Sequence, residues 1–271
     1  MPRGERAGFP TYWTSFGQGP RKALMIHCSL AHSGSWGGVA RHLSGALHMT
    51  AFDMPGHGRS GAWDNRDEYQ RVTSNIAATF CDEPLDVVGH SFGATVALRL
   101  AIERPELVRS LVLIEPVFFA VAIRDHPELY ITLQALFAPF AAALKAEDRA
   151  EAAKAFSTIW GDGTAWAALP DAQKQALADQ IHLIEAGHEA LYDDPGGLLD
   201  DGVLQGLDKP VQLIEGTRSP FIIPAIHEGL AARLPRAERT VIVGAGHMAP
   251  ITHAAQVSDA MLRFLRLGWG A

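Results

Sequence analysis

The chain has 271 residues, enough for one large α/β domain or for a core carrying an inserted subdomain. Hydrophobic residues make up 48% of it, charged residues 20%, and the net charge is −7, which argues against nucleic acid or an anionic membrane as the main partner. Cys28 and Cys81 lack metal-type spacing and read as reduced thiols; residues 1–20 are polar and glycine-rich without a signal-peptide core, and no run reaches a bilayer span, so a cytoplasmic protein is expected.

Several short apolar runs, each followed by a helical pattern, read as buried parallel strands. Residues 23–28 (ALMIHC) form the first, followed by a glycine-containing loop and a helix over 36–47. The next strand is 48–53, ending in the loop 54–60, and a helix follows over 68–80. Strand 85–89 (LDVVG), helix 92–103 and strand 110–114 (SLVLI) continue the alternation. It then breaks. From 117 to 201 the chain is alanine-rich and helical, with helices expected at 128–144, 149–160 and 171–186, and a return loop at Asp193-Asp194-Pro195-Gly196-Gly197. Alternation resumes with strand 211–216, helix 223–234, strand 240–244 and helix 254–267. The expected fold class is therefore α/β: a mostly parallel central sheet with helices on both faces, formed by 1–116 and 202–271, with 117–201 inserted as a helical cap.

Gly89-His90-Ser91-Phe92-Gly93 matches G-x-S-x-G, and its setting gives the match its weight. It follows an apolar strand and opens a helix, so the turn must be tight and the residues flanking Ser91 small. Such a turn lifts a serine hydroxyl off the backbone at the carboxyl end of a sheet, next to a helix N-terminus that favours developing negative charge. Ser91 is the candidate nucleophile.

With this elbow, three further segments make the chain resemble the α/β-hydrolase family along most of its length. Asp53-Met54-Pro55-Gly56-His57-Gly58-Arg59-Ser60 is similar to the family's loop after an early strand, Gly244-Ala245-Gly246-His247 to its histidine loop, and the segment from His27 to Trp36 to its oxyanion loop, all in the family's order. His247, in a glycine-rich loop after the last strand, is the candidate base, because neutral imidazole has a suitable pKa. His253, His182 and His188 read as surface or core residues.

The resemblance implies an aspartate in a G-x-x-D pattern after the penultimate strand, but the chain reads Gly216-Thr217-Arg218-Ser219. A hydroxyl at Ser219 cannot stabilise imidazolium as a carboxylate does; replacing a triad acid by a neutral isostere costs about 10⁴ in kcat. Glu115 ends strand 110–114, where some haloalkane dehalogenases of this fold carry their acid, and a charge at the end of a buried apolar strand needs a partner. Glu115 is therefore the expected acid, with Asp193 and Asp194 as weaker candidates and a role in simply capping the strand as the alternative.

The resemblance also implies backbone N–H donors for the oxyanion from Phe92 and from Ser29, or from Leu30 if the register slips by one. His32 is a candidate pocket residue or a solvent-facing one, and Phe137 and Phe140 on the cap stripe are core packing that partly faces substrate. Gly56-His57-Gly58-Arg59-Ser60-Gly61 fits a dinucleotide fingerprint, but Pro55 intrudes and no helix follows. No metal pattern appears, and no cofactor is expected. The expected activity is hydrolysis of a small or medium apolar ester or lactone through an acyl-enzyme on Ser91. C–C bond hydrolysis or perhydrolysis would use the same triad, whereas Ser91 disfavours dehalogenase and epoxide hydrolase chemistry. A low-turnover small-molecule receptor is the reading from outside the enzymes.

Overall fold

The computed structural model describes residues 2–267. Eight strands form one sheet: β1 (Arg3–Arg6), β2 (Phe9–Phe16), β3 (Arg21–Ile26), β4 (Leu47–Phe52), β5 (Leu85–His90), β6 (Val108–Ile114), β7 (Val211–Gly216) and β8 (Ala237–Ile242). Their order is β1-β2-β4-β3-β5-β6-β7-β8. From β4 to β8 every neighbouring pair is parallel; β1 and β2 are antiparallel. The α/β class and mostly parallel sheet expected from the strand–helix alternation are thus present.

Helices α1 (Gly37–Leu43), α2 (Tyr69–Ala78) and α3 (Phe92–Glu103) belong to the first half, with α10 (Ile222–Arg233), α11 (Ala249–Thr252) and α12 (Ala254–Leu267) in the second. Between β6 and β7 lie α4 (Phe119–Asp125), α5 (Leu129–Lys145), α6 (Arg149–Trp160), α7 (Asp171–Gln180), α8 (His182–Ala186) and α9 (His188–Tyr192). Two apolar clusters cover the two faces of the sheet, one containing Leu24, Val87 and Leu111, the other Met25, Val88 and Val112. Adjacent residues of one strand enter opposite clusters, so β3, β5 and β6 are buried on both sides and read as continuous apolar runs. A third cluster, with Phe140, Ala152, Ala153 and Ile181, is the core of the inserted helices themselves. Helix α4 instead contributes Val121 and Ala122 to the main core and joins α10 through Asp125 and Arg233, 2.6 Å apart. No helix among the described residues is long and apolar enough to cross a membrane.

Four local expectations are corrected. Residues 1–20, read without strands, hold the β1–β2 hairpin; its two-residue loop, Ala7-Gly8, has φ of 49° and 75°, the primed geometry that suits a twisted hairpin. Charged residues on a sheet edge hide such a strand from a search for apolar runs. The helix expected over 36–47 is shorter: a 3₁₀ turn at Ser33–Trp36 leads into α1, and β4 already begins at Leu47. The helix expected over 171–186 breaks at Ile181 into α7 and α8. The last strand, expected over 240–244, runs from Ala237 to Ile242, and Val243 beyond it is exposed and not core.

Candidate active site

The carboxyl ends of β5, β6 and β7 and the loop after β8 converge on one point. The turn from β5 into α3 holds Ser91 at φ 57°, ψ −118°, a conformation that a non-glycine residue adopts only under constraint. The constraint is packing: Ser91 N–H donates to the Ile114 carbonyl (2.9 Å), and a Cβ on Gly93 would stand 2.3 Å from the Ile26 carbonyl oxygen. Helix α3 can press this close because every residue from Phe92 to Ala101 is buried; Arg99 among them is neutralised by Glu68 and Glu103.

His247 lies in the loop after β8, which is stitched to the loop after β7. Arg218 N–H donates to the Ala245 carbonyl (2.8 Å) and Gly244 N–H to Thr217 Oγ1 (2.9 Å). Gly216 permits this approach, since a Cβ there would meet the Ala245 carbonyl oxygen at 2.2 Å. From this loop His247 Nε2 lies 2.9 Å from Ser91 Oγ and Nδ1 lies 3.1 Å from Glu115 Oε2. Two neighbours hold the imidazole. His90 donates Nε2–H to the His247 carbonyl (2.8 Å), and the Trp160 ring stands edge-on at 4.6 Å between centroids. Burial lowers the His90 pKa to about 3, so it remains a neutral donor.

Glu115 is fully buried just beyond β6, in the left-handed region at φ 52°. Its Oε1 accepts hydrogen bonds from Gly216 N–H (2.7 Å) and Ser219 Oγ (2.6 Å). Burial alone would raise the carboxyl pKa, but the contacts with His247, Ser219 and Gly216 together outweigh it and hold Glu115 below the ordinary carboxylate range. Ser219, where the resemblance leads one to expect an acid, thus donates to the carboxylate at the end of the neighbouring strand. Asp193 and Asp194 do not join this group: Asp193 is exposed, and Asp194 accepts from Leu198 and Leu199 N–H at 2.9 and 2.7 Å.

Ser91, Phe92 and Ser29 line one cavity of about 440 Å³. Phe137 and Phe140 line it too, joined by Phe119, Phe156 and Trp160, which the sequence reading did not single out because their spacing within helices gives no signal beyond ordinary packing. Its lining contains no lysine or arginine. The N–H of Phe92, at the first position of α3, has no carbonyl behind it in the helix. Leu30 is removed as the alternative oxyanion donor, because its N–H donates to His57 Nε2 at 3.0 Å. His32 is also corrected: it is exposed, outside the cavity lining, and its Nδ1 accepts from Gly34 N–H (3.1 Å) to cap the 3₁₀ turn. The loop 53–60 buttresses Ser29 and its neighbours. Asp53 accepts from Ser33 and Arg59 N–H (2.6 and 2.8 Å), and His27 Nε2 accepts from Met54 N–H (3.0 Å). Among the described residues no group of three or more His, Cys, Asp or Glu side chains is placed to hold a metal ion.

Known proteins agree with this architecture. Residues 24–254 match the family model described as the alpha/beta hydrolase fold. Lipase LipV of Mycobacterium tuberculosis is 37% identical over 147 residues, which is 53% of this chain and 53% of the lipase, so that match spans about half of either protein. A pimeloyl-[acyl-carrier protein] methyl ester esterase of Neisseria meningitidis is 28% identical over 247 residues, 86% of this chain and 88% of the esterase. A solved membrane phospholipase A, 19% identical, superposes with a TM-score of 0.75 over 100% of this chain and 86% of its own, a likeness of fold. With its family model spanning nearly the whole length and its sheet and loops arranged accordingly, this chain belongs to the alpha/beta hydrolase fold family.

Proposed function

We propose that this chain, an ester hydrolase of the α/β-hydrolase family, cleaves a carboxylic ester or lactone of a small to medium apolar acyl group through an acyl-enzyme on Ser91. The observation that carries the reading is the hydrogen-bonded series Ser91–His247–Glu115, with Ser91 facing an apolar cavity. His247 Nε2 takes the Ser91 hydroxyl proton as Oγ attacks the carbonyl carbon. Glu115, kept ionised by its donors, stabilises the imidazolium and holds its Nδ1–H tautomer. The N–H groups of Phe92 and Ser29 receive the oxyanion. His247 then protonates the leaving oxygen, and water repeats the sequence on the acyl-enzyme. Segment 117–201 serves as the cap, and a lining that holds Glu185 but no lysine or arginine suits a neutral acyl chain better than one ending in carboxylate.

The test is hydrolysis of p-nitrophenyl butyrate together with labelling by an alkyl fluorophosphonate, followed by mass spectrometry. Wild type is expected to hydrolyse the ester and to carry the phosphonate on Ser91. Ser91→Ala is expected to lose the label and up to about 10⁶ in kcat while melting as wild type does. A wild-type rate no higher than that of Ser91→Ala would overturn the reading.

A further inference from the structure

Leu30 occupies an unusual place between the site and the inserted helices. It follows Ser29 in a turn closed by Ala31 N–H on the Cys28 carbonyl (3.3 Å), and its φ is 59°, a position that favours glycine. Two contacts hold it there. Its N–H donates to His57 Nε2 at 3.0 Å, and the His57 ring is fixed in turn by Nδ1–H to the Pro55 carbonyl at 3.0 Å. Its side chain leaves the sheet-bound core and packs on the helices' own cluster, against which Phe137, Leu144, Phe156 and Ile184 also pack. Those four residues line the cavity beside Ser91. The wall that meets the acyl chain and Leu30 therefore rest on one and the same cluster, whose Phe140 itself lines the cavity.

We propose that Leu30 is a positioning residue that couples filling of the acyl cavity to the placement of the neighbouring Ser29 amide, an inference that rests on Ser29 N–H being the second oxyanion donor. An acyl chain long enough to reach the helices tightens their cluster around Leu30. The pinned backbone then transmits that order one residue back, to Ser29. Binding energy from the remote end of the acyl chain is thereby expressed in the chemical step and not only in affinity. The loop that holds His57 reinforces the link: Gly56 lies so close to α8 that a Cβ there would meet Leu183 Cδ2 at 2.7 Å, and Leu183 also lines the cavity.

The experiment compares kcat and KM for p-nitrophenyl acetate and hexanoate in wild type, Leu30→Ala, Leu30→Asn and Leu30→Met. Wild type is expected to turn over hexanoate faster than acetate. Leu30→Ala is expected to lose about tenfold in kcat on hexanoate, with KM and the acetate rate within about twofold of wild type. Leu30→Asn, which tolerates the left-handed backbone but lacks the apolar anchor, is expected to behave like Leu30→Ala, and Leu30→Met to keep the wild-type profile. Should Leu30→Ala fail to fold, the asparagine and methionine variants carry the same comparison. A rise in hexanoate KM at unchanged kcat, an equal loss on both esters, or a wild-type profile in Leu30→Asn would each overturn the coupling. Ser91→Ala run alongside separates the two levels. Activity surviving in it removes the serine reading itself, whereas Ser91-dependent activity with an unmoved Leu30 profile removes only the coupling.

Discussion

Two buried carboxylates on neighbouring strands, at opposite ends of the sheet, are compensated in different ways. Asp86, near the start of β5, is wholly buried between Arg21 and Arg109: Arg21 Nη2 lies at 2.7 Å, Arg109 Nη1 at 3.3 Å, and the Ser110 hydroxyl donates at 2.8 Å. Glu115, just beyond the end of β6, is equally buried but receives an amide, a hydroxyl and an imidazole. A guanidinium never gives up its proton, so Asp86 has a permanent countercharge and serves the fold. Among its hydrogen-bonding partners, Glu115 acquires a countercharge only when His247 takes a proton. In the mechanism proposed for Ser91, that countercharge arises in the proton-transfer step itself. The comparison teaches that a carboxylate's partners, more than its burial, distinguish a structural charge from one suited to chemistry.

The largest expected effect separates the two carboxylates by activity. Glu115→Gln should lower kcat on p-nitrophenyl butyrate by about 10⁴ while changing the melting temperature little; a variant within tenfold of wild type would remove Glu115 from the mechanism. Asp86→Asn should do the reverse. It replaces the carboxylate that faces Arg21 and Arg109 by a neutral amide and should reduce unfolding free energy by about 3–5 kcal/mol in urea titration, with kcat at low temperature close to wild type. A loss of kcat without a loss of stability would erase the distinction between the two ends.

A finer test removes one neutral donor. Ser219→Ala deletes the 2.6 Å hydrogen bond to Glu115 Oε1 but leaves that of Gly216, so kcat should fall by about tenfold and the acid limb of its pH profile should move upward. An unchanged acid limb would show that Gly216 and His247 suffice.

The smallest effect concerns charge that the fold excludes. Burial lowers His27, His57 and His90 to about 3 and His227 to about 4. Unfolded imidazoles titrate near about 6.5, so between those values the unfolded chain binds more protons than the folded one. Stability is therefore full above about pH 6.5 and declines as the pH falls toward 3. Glu115, lowered as an acid, contributes at pH values above the ordinary carboxylate pKa and loses that contribution only as pH falls through its still lower folded value. Both ring nitrogens of the buried His227 lack a hydrogen-bond partner. His227→Leu should accordingly flatten the decline between pH 7 and 5 and leave stability equal or higher by about 1 kcal/mol, read from melting curves at each pH. A steeper decline would mean that the ring is serving a partner.

Much of the fold was legible because it depends on local pattern. The doubly buried strands β3, β5 and β6 are near-continuous apolar runs, and Gly89 and Gly93 mark the turn that lifts Ser91. Strands on the sheet edge were harder to read. Charged β1 gives no apolar run, its neighbour β2 is broken up by Pro10, Thr11, Thr14 and Ser15, and exposed Val243 imitates a strand residue beyond β8. For the site, the sequence determined the types and chain order of Ser91, Glu115 and His247. It also drew attention to Ser219, because an expected carboxylate was missing from a recognisable loop.

Tertiary structure decided which pieces meet. That Ser219 donates to Glu115 and that His57 takes up the Leu30 N–H are facts about residues many positions apart. No sequence period records them. Helical spacing marks Phe119, Phe156 and Trp160 as apolar but not as lining a common cavity, since that depends on how helices pack across the sheet. The sequence by itself determined the parallel sheet, the strand–turn–helix around Ser91 and the candidate residues, because those follow from backbone sterics and short-range burial. The partners of each polar atom and the shape of the cavity follow from long-range packing, and only the assembled structure sets them.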